Sequence, residues 1–290
     1  MKRLRRTMLF MPGNNPGMLQ NAGILGADAI ILDLEDAVSI TEKDSARILV
    51  REAIKNIDYS NVELVVRINP LDTDFAEKDI DVIGRVKPDT ILVPKATEEA
   101  MLMVDEALTK IEKEEGFEVG GIKLIALVES AYGIENVYNI IKVSSRTVGV
   151  LLGGEDLTSD LGIKRTKEGE EIFYSRSKVA IACRALKVDS IDTPFTDTND
   201  YTGLEKDTFK AKSLGFTGKS SINPRQIDTI HSVYAPTAAE IHHAKRVMDS
   251  MEEAEREGKG VFSLDGKMVD APVINRARHT LELATVLGLI

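Results

Sequence analysis

Short apolar runs recur along the chain, and each is followed by a segment with helical spacing. Thr7–Met11 reads as a strand stopped by Pro12-Gly13, and Pro16 to Leu25 as a helix. Ala29–Leu32 is the second run, followed by a charged amphipathic helix from about Thr41 to Ile57. Glu63–Val66 precedes a helix over Ile80 to Val86, and Thr90–Val93 precedes a long charged helix that ends near Glu115. Lys123–Val128 leads to a helix from about Gly133 to Ile141. Thr147–Leu152 is the sixth run, with the next helix over Glu170 to Leu186. Ser190-Ile191 precedes a helix over Leu204 to Leu214, and Phe216–Ile222 leads to a helix opened by Asn223-Pro224. Unbroken apolar runs without alternation fit strands buried on both faces, as in a parallel sheet with crossover helices. Eight such units in about 225 residues match a closed (β/α)8 TIM barrel. An open doubly wound sheet is the competing architecture, but no Gly-x-Gly-x-x-Gly follows the first strand.

Beyond the eighth unit, Ala238 to Glu257 reads as a charged helix, broken by Gly258-Lys-Gly260. A short stretch, Val261–Leu264, and a helix from Val273 to about Leu287 complete the chain. The expected organisation is a catalytic barrel over 1–235 and a C-terminal helical extension over 236–290. That extension is too small to be a domain, and it packs on the barrel or on a neighbouring subunit.

Composition narrows the function. Lys and Arg total 37 against 47 Asp and Glu, a net charge of -10, which disfavours nucleic acid and anionic membranes as partners. Tryptophan is absent, so aliphatic residues must fill the core. A single cysteine, Cys183, excludes an intrachain disulfide and suits a reducing cytoplasm. The basic start, Met1 to Arg6, is not followed by a signal-peptide apolar core, and no apolar run is long enough to span a bilayer. The expected location is therefore cytoplasmic.

In a barrel, catalytic groups come from the C-terminal ends of the strands. Those ends carry Pro12-Gly13, Asp33 with Glu35 and Asp36, Arg67, Lys95, Glu129, Glu155 with Asp156, Asp192, and Lys219 with Ser220. The central stretch is Val148–Thr158, in which two glycines break an apolar run just before two acids. Glu129 and Asp156, at the ends of adjacent strands, are expected to share one Mg²⁺, which takes few carboxylates and keeps waters. Glu35 and Asp36 would orient those waters, or would merely cap the helix that follows. Arg67 would grip a carboxylate or polarise a carbonyl with its planar fork, or would form a salt bridge with Glu35. Amides near Gly153, Gly154 and Glu155 are candidates for a substrate carboxylate, and Pro12 and Asn14 of the first rim loop for further substrate contact. Lys95 raises a Schiff-base route, but the metal ligands favour a metal-dependent one. The four histidines, all in the C-terminal quarter, lack metal spacing and read as surface or packing residues.

Several of these segments carry a resemblance. Leu9–Pro16, Asp33-Leu-Glu-Asp-Ala-Val38, Val66–Asn69, Val93-Pro-Lys95, Leu127–Ser130, Gly153-Gly-Glu-Asp156, Asp192–Asp197, Ile222–Gln226 and Gly266–Pro272 run nearly end to end. Together they resemble the HpcH/HpaI aldolase superfamily, and within it the citryl-thioester lyase subunits of bacterial citrate lyases. The resemblance implies cleavage of a citryl thioester to oxaloacetate and an acetyl thioester. It implies Mg²⁺ on Glu129 and Asp156, substrate contact by Arg67, and an acid/base role for Asp270 in a neighbouring subunit's site. The alternative for Asp270 is capping of the last helix. The family also implies α transferase and γ acyl carrier partner subunits and a homotrimer or hexamer. Malyl- or citramalyl-CoA cleavage is the competing activity on the same scaffold. The first loop, Asn14–Gln20, has no Lys or Arg, which favours a carrier-tethered substrate over free CoA.

Overall fold

The computed structural model describes residues 4–256 and 262–290. The helix break at Gly258-Lys-Gly260 and the residue Val261 lie outside the described residues. Eight parallel strands close into a barrel in sequential order, with β8 pairing back to β1. They are β1 (Thr7–Pro12), β2 (Ala29–Asp33), β3 (Glu63–Arg67), β4 (Thr90–Val93), β5 (Lys123–Val128), β6 (Thr147–Leu152), β7 (Asp189–Asp192) and β8 (Gly218–Ser221). The architecture is the expected TIM barrel.

The lack of alternation along the strands has a direct cause. One set of side chains fills the barrel interior: Met8, Ala29, Ile31, Val65, Leu92, Ile125, Leu127, Leu151 and Ile191. Their neighbours, such as Ile30, Leu32, Val66, Ile91, Ala126 and Val150, are buried under the surrounding helices. Both faces of strands β2 to β6 are thus largely apolar, whereas β7 and β8 bury polar residues instead. At the N-terminal end of the barrel, Arg5 donates to Glu63 at 2.6 and 2.8 Å and to Asp189 at 2.6 Å, while Arg6 is paired with Asp28. This part of the basic start is committed to closing the barrel, on the face opposite the rim acids. His231 lies at the same end, 2.8 Å from Thr7 Oγ1, and His242, His243 and His279 are exposed.

The helix predicted over Ile80 to Val86 is Ala76–Gly84, one turn earlier. A helix at Gly154–Asp160 was not indicated by the apolar pattern, because Leu157 is its one buried large apolar residue. The chain forms two compact units, Met1–His231 and Ser232–Ile290. The second contains the helices Ala238–Arg256 and Ala271–Val286 and an antiparallel hairpin of β9 (Phe262–Leu264) and β10 (Lys267–Val269). Ala244, Val247, Val269 and Ala277 form its small core. The hairpin went unread in the sequence although its turn, Asp265-Gly266 with φ of 52° and 74°, carries an established two-residue signal.

Candidate active site

Residues at or just beyond the C-terminal ends of β1, β2, β3, β5, β6, β7 and β8 line a cleft of about 360 Å³. Phe10, Leu127 and Leu151 supply its apolar lining, and Asp33, Asp36, Arg67, Glu129, Glu155, Asp156 and Thr193 its polar groups.

Register builds the first part of the site. Asp33 and Arg67 are paired neighbours at the ends of β2 and β3. The guanidinium forks onto the carboxylate, with Nε 2.7 Å from Oδ1 and Nη2 2.6 Å from Oδ2. The remaining nitrogen, Nη1, lies 2.8 Å from Glu35 Oε2 and 3.4 Å from Asp36 Oδ2. The Glu35 contact lacks hydrogen-bond alignment, and that buried oxygen has no hydrogen-bond partner. Burial opposes the charge on Arg67, but the hydrogen bond and charge of Asp33 outweigh it and hold the guanidinium protonated. Arg67 is therefore an ion-pair partner, chiefly of Asp33, with one nitrogen turned toward the other acids. Lys43 donates to the carbonyls of Leu34 and Glu35, at 2.8 and 2.5 Å, and so fixes the loop that carries Glu35.

Glu129 follows β5, and Oε1 accepts the Lys95 amide at 2.7 Å. Lys95 adopts a positive φ of 45° at this turn. Strand β6 lies beside β5 and ends at Leu152; Gly153 then caps the helix Gly154–Asp160, whose first turn presents Glu155 and Asp156. A side chain at Gly153 would put Cβ 2.6 Å from Glu129 Cβ and 2.7 Å from its Oε2, so only glycine allows this approach. Asp156 and Glu155 are exposed, and Glu155 Oε1 is 3.7 Å from Arg165 Nε.

Asp33, Glu35 and Asp36 thus share the Arg67 guanidinium, and the charges of Glu129 and Asp156 act on the same cluster. Burial pushes Glu129 up to about 8, with Glu35 and Asp156 adding repulsion. Burial likewise pushes Glu35 up to about 7 against the pull of Arg67, with Asp36, Asp33 and Asp156 adding to the rise. A divalent cation would relieve this excess of negative charge. Among the described residues no group of three or more His, Cys, Asp and Glu is disposed to hold a metal ion. The charged lining of the cleft is made of carboxylates and an arginine, a donor chemistry that suits a hard cation keeping its waters, as Mg²⁺ does, better than a closed zinc site.

Three expectations need correction. The Gly153 amide donates to Val128 O at 3.0 Å and the Gly154 amide to Thr193 Oγ1 at 3.0 Å, so neither is free for a substrate carboxylate. Pro12 and Asn14 do not line the cleft; Asn14 Nδ2 is tied to Glu42 at 2.8 Å. Asp192 ends β7, but Lys219 is only the second residue of β8, and both are sealed in a buried network with Arg176 and Asp207, two residues contributed by helices. Sequence reading missed those two partners and also Thr193. Asp270, in the C-terminal unit, caps the helix Ala271–Val286, accepting the Val273 amide at a long 3.3 Å.

The two raised carboxyls have a measurable consequence. Both bind protons more tightly folded than unfolded, where the reference value is 4.5. Their contribution to stability is complete below that value and is lost as pH rises through about 7 and about 8. In EDTA, the melting temperature should therefore fall from mildly acid to mildly alkaline pH, and Glu129→Gln should flatten the fall. Thermal melts across that range test it; parallel profiles for wild type and variant would contradict the assignment.

A parallel (β/α)8 barrel with an acid-rich cleft at its C-terminal rim has the layout of a barrel enzyme. Residues 6–224 match the sequence model of the HpcH/HpaI aldolase/citrate lyase family. The chain is 47% identical to the citrate lyase subunit beta of Leuconostoc mesenteroides subsp. cremoris, over 100% of its own length and 96% of that protein's. It is similar in structure to the citrate lyase beta subunit of M. tuberculosis complexed with oxaloacetate and magnesium, with 28% identity, a TM-score of 0.69, and coverage of 80% of this chain and 98% of that one. It is also similar to the CitE protein of Mycobacterium tuberculosis in complex with magnesium, acetoacetate and coenzyme A, with 29% identity, a TM-score of 0.81, and coverage of 97% and 98%. The chain belongs to the HpcH/HpaI aldolase/citrate lyase family.

Among the described residues, no helix is long and apolar enough to cross a membrane. Cys183 is free and buried.

Proposed function

We propose that this chain cleaves a citryl thioester to oxaloacetate and an acetyl thioester, as the β subunit of a citrate lyase, with Mg²⁺ held by Glu129 and Asp156. The observation that carries the reading is the crowding of buried Glu35 and Glu129 with Asp156 beside the Arg67 fork, at the barrel rim. Its family membership and its similarity to citrate lyase beta subunits support the substrate class. Mg²⁺, when bound, supplies a Lewis acid for the substrate's hydroxyl and carboxylate oxygens and lowers the hydroxyl pKa.

The chain's own residues do the rest. Asp33 holds the Arg67 plane, leaving Nη1 to meet negative charge that develops on the substrate. The Lys95 amide orients Glu129, and Lys43 fixes the loop of Glu35 and Asp36, whose carboxyls would orient waters around a bound cation. Phe10, Leu127 and Leu151 limit water around the reacting carbons. Asp270 of a neighbouring subunit protonates the enolate carbon to give the acetyl methyl, within a homotrimer or hexamer. The α transferase and the γ acyl carrier protein are the partner subunits, and the uncharged first loop favours a substrate tethered to the carrier.

The test is oxaloacetate release from citryl-CoA and citryl-acyl-carrier-protein by the purified chain, with Mg²⁺ and with EDTA. Metal-dependent release supports the reading. Faster cleavage of malyl- or citramalyl-CoA would assign the site to those substrates instead. For Asp270, an Asp270→Asn chain and an Arg67→Ala chain should each be nearly inactive alone and regain partial activity when co-assembled. Hetero-oligomers that remain inactive would remove Asp270 from the neighbouring site.

A further inference from the structure

We infer that Thr193 is a positioning residue for the metal-binding acid Asp156, and that the buried Arg176–Asp192–Asp207–Lys219 network is the anchor behind it. The inference rests on the proposed Mg²⁺ site and assigns a role to residues outside it.

Thr193 follows β7 and is fully buried, although it borders the cleft. It is held from one side and holds on the other. Its carbonyl accepts Lys219 Nζ at 2.7 Å. The two remaining ammonium donors go to Asp192 Oδ2 at 2.7 Å and Asp207 Oδ2 at 2.6 Å, so the lysine has no freedom to swing. Arg176 forks onto Asp192 at 2.9 Å twice and reaches Asp207 at 2.8 Å. Two cations and two anions close a neutral cluster in the interior, where any one charge left alone would be costly. A rigid, charge-balanced block therefore fixes where Thr193 stands.

On its other side, Thr193 Oγ1 accepts the Gly154 amide at 3.0 Å. Gly154 is the first residue of the helix that carries Asp156 in its first turn. An amide at that position has no intrahelical acceptor, so the hydroxyl supplies the bond the helix cannot. Packing reinforces the hydrogen bond. A Cβ on Gly154 would lie 2.7 Å from Thr193 Oγ1 and 3.2 Å from its Cβ and Cγ2. The adjoining Gly153 presses on Glu129 in the same way. The Gly153-Gly154 turn is thus wedged between Thr193 and Glu129, and that wedge sets where Asp156 stands relative to Glu129. Two ligands that must share one small, geometrically demanding cation depend on such a setting.

The test is titration of the full chain with Mn²⁺, without substrate, read by electron paramagnetic resonance, alongside melting temperature. Thr193→Val removes the acceptor and keeps the shape; it should weaken Mn²⁺ binding by ~10- to 100-fold, the usual scale for losing a support behind a metal ligand. Thr193→Ser retains the acceptor and should bind more tightly than Thr193→Val. Wild-type Mn²⁺ affinity in Thr193→Val, whatever its melting temperature, overturns the inference. Should that variant fail to fold, Thr193→Ala is judged by the same criterion. Asp156→Asn, titrated in parallel, separates the two levels. If it loses Mn²⁺ while Thr193→Val does not, the positioning role alone falls. If it binds normally, the metal assignment falls and takes the positioning role with it.

Discussion

Glu129→Gln and Asp156→Asn should each abolish Mg²⁺-dependent cleavage while the barrel stays folded. Both changes preserve shape and remove one charge. Lewis-acid stabilisation of this kind is worth several kcal/mol, so losing a ligand should cost ~10²- to 10³-fold or more in rate at limiting Mg²⁺. The buried position adds a second signature. Glu129 is pushed up to about 8 by burial and by the charges of Glu35 and Asp156, so its ionised form is a burden to the metal-free fold. Glutamine keeps an acceptor for the Lys95 amide and removes that burden. The Glu129→Gln chain should therefore be inactive yet melt no lower than wild type in EDTA at mildly alkaline pH. Asp156 is exposed, and its replacement should leave the melting temperature nearly unchanged. Wild-type turnover by either variant at limiting Mg²⁺ would show the metal to be held elsewhere.

Arg67→Lys should lower kcat/KM by at least ~10²-fold, the scale of losing one preorganised donor to developing negative charge. Lysine keeps the charge but cannot grip Asp33 with two nitrogens while turning a third toward Glu35 and the cleft. The structure makes Arg67 a structural ion pair as well as a candidate substrate group, so some loss of stability is expected too. The two effects separate if activity is assayed well below the melting temperature of the variant. A large drop in melting temperature with near-normal turnover would leave Arg67 a purely structural role. Arg67→Ala should be worse on both counts, because Asp33 would then be buried without its partner, a loss of about 3–5 kcal/mol for a broken buried pair.

Much of the frame was legible along the chain because a barrel strand is a local object. Thr90–Val93, Lys123–Val128 and Thr147–Leu152 are apolar on both faces and bounded by polar residues or turns, so their limits are the same in sequence and structure. The acids after β5 and β6 were legible for the same reason, since a strand end locates the residue that follows it. Local pattern could not say which charges face the cleft. Asp192 ends β7 and Lys219 lies beside it in β8, yet Arg176 and Asp207, brought in by helices, close over them in a neutral cluster. Arg67 was legible as a rim group, but its grip on Asp33 follows from the β2–β3 register. Helix Gly154–Asp160 was invisible because its mostly polar residues form no apolar stripe; its place depends on Thr193 and Glu129, which meet it only in the folded chain. The apolar periodicity that builds the barrel is thus a property of neighbouring residues. The partner of a buried charge is a property of distant ones, and tertiary structure alone decides it.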